Sequence, residues 1–281
     1  MAVRFGPGGN SDSFGKRKFP KDIAEYLKSF SLDCYEIECG RGVRISEATY
    51  ENLPSIAMEN DIVITLHAPY FISLSSESAE TREKSVGYIM EAMRAADRLN
   101  AKKVVVHSGS CAKMTRAEAL YLAKDTVTKA LAEMKNENIR AIFCPETMGK
   151  INQLGTLSEV LELCALDDNM LPCVDFGHLN ARTLGGIKTI DDYAKMLDEI
   201  EDKLGFDRLS NMHVHFSKIE YTAGGEKRHL TFDDNVFGPD YEPLMELFAK
   251  RNLNCTVISE SAGTQAEDAS AMKKAYDGFM V

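Results

Sequence analysis

The strongest constraint on how this chain folds is its rhythm. Eight short apolar runs, "AVRFG", "CYEIEC", "IVITLHA", "KKVVVHS", "IRAIFCPE", "LPCVDFG", "NMHVHFS" and "NCTVISES", alternate with longer amphipathic segments. Runs of this length rich in β-branched residues read as buried strands. "ESAETREKSVGYIMEAMRAADRLN" carries apolar residues at three- and four-residue steps, the period of a helix, with Ser76 as its expected cap. "GTLSEVLELC" opens on a capping box, Thr156 with Glu159 three residues on. Strands that alternate with helices make βαβ units and a parallel sheet. Eight such units predict a closed (β/α)8 TIM barrel. The rival, a doubly wound open sheet, needs a GxGxxG turn after the first strand, and "GPGGNSDSFG" lacks it. No linker-like shift in composition interrupts the pattern, so residues 1–281 are expected to form a single domain.

A chain of 281 residues with 44% hydrophobic content has ample material for such a core. It contains no apolar run long enough to span a bilayer. The segment "MAVRFGPGGNSDSFGKRKF" has no apolar stretch of the secretory kind. The seven cysteines are scattered, unpaired in number and never spaced as CxxC. They read as reduced, buried side chains of a cytoplasmic protein. A net charge of −10 argues against a generally basic nucleic-acid coat but leaves room for a local basic groove.

In a (β/α)8 barrel the functional groups stand at the C-terminal ends of the strands. All six histidines fall there or just beyond. His67 ends the third strand, His107 the fourth, His178 follows the sixth, His213 and His215 belong to the seventh, and His229 lies in the loop after it. Acids join them: Glu146 after the fifth strand, Asp175 after the sixth, Glu260 after the eighth. Any one of these alone is ordinarily a hydrogen-bonded core histidine, a strand-end salt bridge or a turn cap. Together, without cations, so many acids and imidazoles would crowd like charges in a dry site. Divalent metals remove that conflict. Imidazole and carboxylate without thiolate suit zinc, and also manganese or iron. Close metals can stabilise both the attacking and the leaving oxygen of a phosphoryl displacement. His213 and His215, two apart on a strand, face the same way, so one is expected to be a ligand and the other to contact substrate or a carboxylate.

These segments resemble, in order and over nearly the whole chain, the endonuclease IV group of apurinic/apyrimidinic endonucleases within the xylose-isomerase-like barrels. "LHAPYFISL", "VVVHSGS", "PETMGKINQLGTLSEV", "CVDFGH", "MHVHFSK" and "ISES" carry the resemblance. It implies two or three zinc ions, with manganese compatible at one position, and cleavage of damaged double-stranded DNA 5′ to an abasic deoxyribose. No membrane and no obligate protein partner are implied. The implied ligands are His67 and His107 on one zinc, with Glu146 bridging to a second zinc completed by Asp175, His213 and Glu260. His178 and His229 would hold a third. Glu146 and Glu260 would be the catalytic carboxylates, and the metals would activate water for in-line attack on phosphorus. Tyr70 and Lys218 match substrate-facing positions, with His215 beside them. The chain also departs from the family. Lys227 stands where an aspartate precedes the last histidine, leaving Glu226 as its substitute. His215 and Phe216 replace an Asn-Asp pair, and the first strand lacks a histidine. The loop after the second strand reads "CGRGVRIS", where Arg41 and Arg44 are the candidate DNA contacts. A sugar isomerase or epimerase on the same barrel is the alternative. Such a site is richer in oxygen ligands for manganese or magnesium, whereas at least half of the ligands inferred here are imidazoles.

Overall fold

A computed structural model describes residues 3–280. Eight parallel strands form one sheet: β1 (Arg4–Pro7), β2 (Cys34–Glu38), β3 (Val63–His67), β4 (Lys103–His107), β5 (Ile142–Glu146), β6 (Cys173–Asp175), β7 (His213–Phe216) and β10 (Thr256–Ser259). Their spatial order, β1-β10-β7-β6-β5-β4-β3-β2, is the chain order of a TIM barrel. All eight expected strands are present, though Ala2, in the first, lies outside the described residues. Closure between β1 and β2 rests on a bridge from Gly8 to Glu36 and on the hydrogen bond from Asp33 N to Phe5 O, 3.1 Å. Gly6 permits the approach: a Cβ there would lie 1.9 Å from Cys34 O.

The helices between strands bury their inner faces against the outside of the barrel. They are α1 (Ile23–Ser29), α2 (Glu47–Glu59), α3 (Ala79–Arg98), α4 (Arg116–Asn136), α5 (Leu157–Cys164), α6 (Phe176–Arg182), α7 (Ile190–Leu204), α8 (Phe206–Ser210), α9 (Glu242–Lys250) and α10 (Gln265–Phe279). The Thr156–Glu159 capping box opens α5 as expected, and a second one, Thr115–Glu118, opens α4. The cap of α3 is Ser78, not Ser76: Ser78 Oγ accepts from Thr81 N, and the chain turns into the helix two residues later than expected. No described helix is long and apolar enough to cross a membrane. All seven cysteines are buried and free.

Inside the barrel a small apolar layer of Val105, Cys144, Leu171 and Cys173 underlies the mouth. Below it Lys103 is buried, its Nζ donating to Asn211 O (2.7 Å), Met212 O (3.1 Å) and Thr256 Oγ1 (3.2 Å). The loop after β7 holds a hairpin that the strand pattern did not predict, β8 (Ile219–Thr222) with β9 (Gly225–His229). It packs on the loop after β5 through the Lys150–Gly225 bridge, with Gly225 backed so closely on Gly149 O that a Cβ would lie 2.3 Å from it.

Candidate metal centre

The register of the parallel strands sets the height of each side chain in the barrel. His107 pairs with Glu146, and Asp175 with His215, so four functional groups stand at the C-terminal rim. Glu146 is at their centre and fully buried. Its Oε2 lies 3.1 Å from His107 Nε2 and 3.4 Å from His67 Nε2. Its Oε1 lies 3.1 Å from His215 Nδ1 and 3.4 Å from His178 Nδ1. Glu260 Oε1 approaches His215 Nδ1 to 3.4 Å. Asp175 caps α6 with Oδ1, which accepts from His178 N at 2.6 Å, while its Oδ2 remains without a hydrogen bond.

The donors form overlapping groups. His67, His107 and Glu146 make one, Glu146, Asp175, His215 and Glu260 a second, and His178, Glu226 and His229 a third. The donor set fits zinc on three counts. Glu146 Oε2 and Asp175 Oδ2 are buried with no hydrogen-bond partner, which is costly unless a cation satisfies them. Donor separations of 3.1–3.4 Å from Glu146 to His67, His107 and His215 match an edge of about 3.3 Å in a zinc tetrahedron with bonds near 2.0 Å. The far nitrogens of three histidines are occupied, His67 Nδ1 on Ala68 O at 2.8 Å, His178 Nδ1 on Thr147 O at 3.0 Å and His229 Nδ1 on Ser217 Oγ at 2.8 Å, which leaves Nε2 for the cluster.

The charges are strongly coupled. Burial opposes protonation of His67, but Glu146, Glu38 and Glu260 outweigh it and raise the ring to about 10. Burial, with Glu260 and Glu146 nearby and only His178 and His215 opposing, pushes Asp175 up to about 7. Burial also works against charge on Glu260, yet His215 beside it holds the carboxyl well below the usual range. Bound cations would relieve the first two and satisfy the third.

The structure brings together His67, His107, Glu146, Asp175, His178, His215, Glu226, His229 and Glu260. It reverses the expected order of the β7 pair. His213 is the first residue of the strand, level with Cys173, and so sits about 6.6 Å below His215 along the strand. Its Nε2 meets Glu36 at 2.9 Å, and His215 takes the place in the cluster. Glu226 joins through a β-bulge. Tyr221 pairs with Glu226 and Glu220 with Arg228, so Lys227 is the extra residue. The bulge brings Glu226 to within 3.4 Å of His178 Nε2 and sends Lys227 outward onto Glu220.

Tyr70 stands at the mouth, 55% exposed, its ring stacked on His107 at 5.2 Å and its hydroxyl donating to Glu38 Oε2 at 3.3 Å. Gly40 makes room for that ring. Lys218 is not at the cluster. Its Nζ donates to Asp234 O at 2.6 Å and serves the loop behind the hairpin. Arg41 and Arg44 are exposed on the loop between β2 and α2. A cleft of about 440 Å³ opens over the cluster, and its wall includes Lys150 and Gln153. Two arginines hold that loop from behind: Arg182 donates to Met148, Lys150 and Gln153 carbonyls, and Arg116 to Ile151 and Gln153 carbonyls. Sequence reasoning missed Lys150, Glu36 and Glu38. The signal for the two acids was present, because "CYEIEC" sets acids at alternate positions of a buried strand, where they face the barrel interior.

Residues 24–277 match the xylose isomerase-like TIM barrel family. An uncharacterized protein of Methanocaldococcus jannaschii is 31% identical over 253 residues, 90% of each chain. A probable endonuclease 4 of Methanosphaera stadtmanae is 27% identical over 186 residues, 64% of each chain. Among solved structures, endonuclease IV from Thermus thermophilus superposes with a TM-score of 0.66 at 20% identity, covering 92% of this chain and 93% of that one. A D-tagatose 3-epimerase-like protein superposes with a TM-score of 0.69 at 20% identity, covering 91% and 92%.

Proposed function

Because the chain belongs to the xylose isomerase-like TIM barrel family, we propose that it is a zinc-dependent phosphodiesterase of the endonuclease IV type, cleaving double-stranded DNA 5′ to an abasic site. The observation that carries this reading is Glu146, with one oxygen among His67 and His107 and the other beside His215. A carboxylate so divided is built to hold two cations at a fixed separation. The third group of His178, Glu226 and His229 extends the same centre. Bound there, zinc supplies positive charge to the phosphoryl oxygens and lowers the pKa of a water.

The chain's own residues do the rest. Glu146 and Glu260 hold negative charge against the cations and orient the attacking water from beneath. Lys150, on a loop fixed by Arg116 and Arg182, draws the phosphate into the cleft. Tyr70 offers an exposed ring for stacking beside the deoxyribose. Arg41 and Arg44 on the β2 loop take up the DNA backbone. This local array lets an acidic chain bind a polyanion. Seven reduced cysteines fit work in the cytoplasm.

A second reading has one observation in its favour. The group Glu146, Asp175, His215 and Glu260 is carboxylate-rich, and alone it would suit one manganese or magnesium ion and a sugar substrate in an isomerase or epimerase. A duplex with a single abasic site, assayed beside a ketose panel, separates the two. Nicking that leaves a polymerase-extendable 3′-hydroxyl supports the phosphodiesterase. An intact duplex with interconverted sugars supports the epimerase.

A further inference from the structure

Beneath the donor cluster lies a second polar layer with a different spacing. Glu36, in the middle of β2, is fully buried. Its Oε2 accepts from Thr65 Oγ1 at 2.7 Å and meets His213 Nε2 at 2.9 Å. Its Oε1 lies 2.7 Å from His215 Nε2, at a bent angle. These separations are short of the tetrahedral edge of about 3.3 Å. The contacts to Thr65 and His213 are hydrogen bonds, and the approach to His215 Nε2 is a direct 2.7 Å contact between two buried groups that have no other hydrogen-bond partner. The opposite nitrogen, Nδ1, is hydrogen-bonded to Glu146 Oε1 at 3.1 Å and lies 3.4 Å from Glu260, within the donor cluster. His215 thus has a carboxylate against one nitrogen and the donor cluster against the other.

We infer that Glu36 is a positioning residue that holds the Nε2 proton of His215, so that Nδ1 is the atom His215 offers to the metal centre. The inference rests on the reading of the cluster as a zinc site. A ligating imidazole almost always donates its second N–H to a fixed acceptor, which sets the tautomer and the ring plane and raises the basicity of the ligating nitrogen. His67 and His229 do this with Nδ1, on Ala68 O and Ser217 Oγ, and offer Nε2. His215 is turned the other way because it points across the barrel interior, where β2 supplies its acceptor. Thr65 and His213 both address Glu36 Oε2, and so leave Oε1 aimed at His215. This also gives His213 a role in the layer below the cluster: it steadies the carboxylate that steadies the ligand.

The test uses the full chain loaded with zinc and labelled with 15N-histidine, with His215 assigned against His215→Asn. The expected spectrum has the His215 Nε2 protonated and Nδ1 metal-bound, opposite to His67 and His229. In Glu36→Gln, chelator competition should give zinc affinity lower by about 10- to 100-fold, and the His215 Nε2–H signal should shift or broaden. Thr65→Val keeps the carboxylate but removes one group that aims it, so a smaller loss in the same direction is expected, and this variant decides if Glu36→Gln fails to fold. Zinc bound to wild type through His215 Nε2, or unchanged affinity in both variants, overturns the positioning role and leaves the zinc centre intact. A wild-type chain that takes up no zinc overturns the centre and this role together.

Discussion

Glu146 Oε2 lies 3.1 Å from His107 Nε2, both at the rim of the barrel, and the two make no hydrogen bond. The same oxygen stands 3.4 Å from His67 Nε2 in the same relation. A buried carboxylate oxygen with two imidazole nitrogens close by and no hydrogen bond to either fits a cation held among the three. Replacement of this carboxylate is therefore the most direct probe of the site.

Glu146→Gln keeps shape and volume but removes the charge and one good ligand oxygen. The cations on either side would then repel with less compensation. Activity on the abasic duplex should fall at least ~100-fold, about 2.7 kcal/mol of transition-state stabilisation. The metal-free protein should also unfold at a lower temperature, because buried imidazoles lose the counter-charge that Glu146 supplies, although no apolar packing is lost. Near-normal turnover with full metal content would exclude the bridging role.

Metal affinity should rise with pH. Without a cation His67 is held protonated up to about 10, and Asp175 up to about 7. Zinc must displace those protons. Between pH 7 and 9 affinity should climb at least about tenfold per unit, since His178 and His215, held protonated by neighbouring acids against their burial, must lose protons along with His67. Below pH 7 the Asp175 proton is added and the slope should steepen. Chelator competition corrected for the chelator's own titration measures this, and a flat profile from pH 6 to 8.5 would contradict it.

Glu226 tests the third donor group separately. Glu226→Ala removes one of its three ligands and leaves the two groups around Glu146 untouched. Elemental analysis of protein purified without added metal should show about one zinc fewer than wild type, consistent with the weakness of a two-ligand site. Equal zinc content in the two proteins would place Glu226 outside the centre.

Gly6 tests barrel closure. A methyl group there would meet Cys34 O at 1.9 Å, a backbone atom that cannot swing aside. Gly6→Ala should destabilise the fold by about 3 kcal/mol or more, because β1 and β2 must part to accept it. Thermal or urea unfolding measures the loss, and a transition unchanged from wild type would mean that closure does not depend on this contact.

The order of strands, the (β/α)8 class and most of the rim residues follow from the sequence by itself. They depend on local period and on the rule that strand C-termini carry function, and both are visible along one dimension. His67, His107, Glu146, Asp175 and Glu260 each announce themselves at the end of an apolar run. What only the tertiary structure decided are distances along and across the barrel. His213 and His215 share a face, and the sequence cannot say which is higher. The register of β7 with β6 does, by pairing Asp175 with His215. Glu226 reaches the cluster because a bulge removes Lys227 from the alternation, and a bulge is a property of two paired strands, not of one. Glu36 meets His213 across 177 residues of chain only after the sheet has closed on itself. Closure turns eight separate strand ends into one ring, and the contacts across that ring have no counterpart in local spacing.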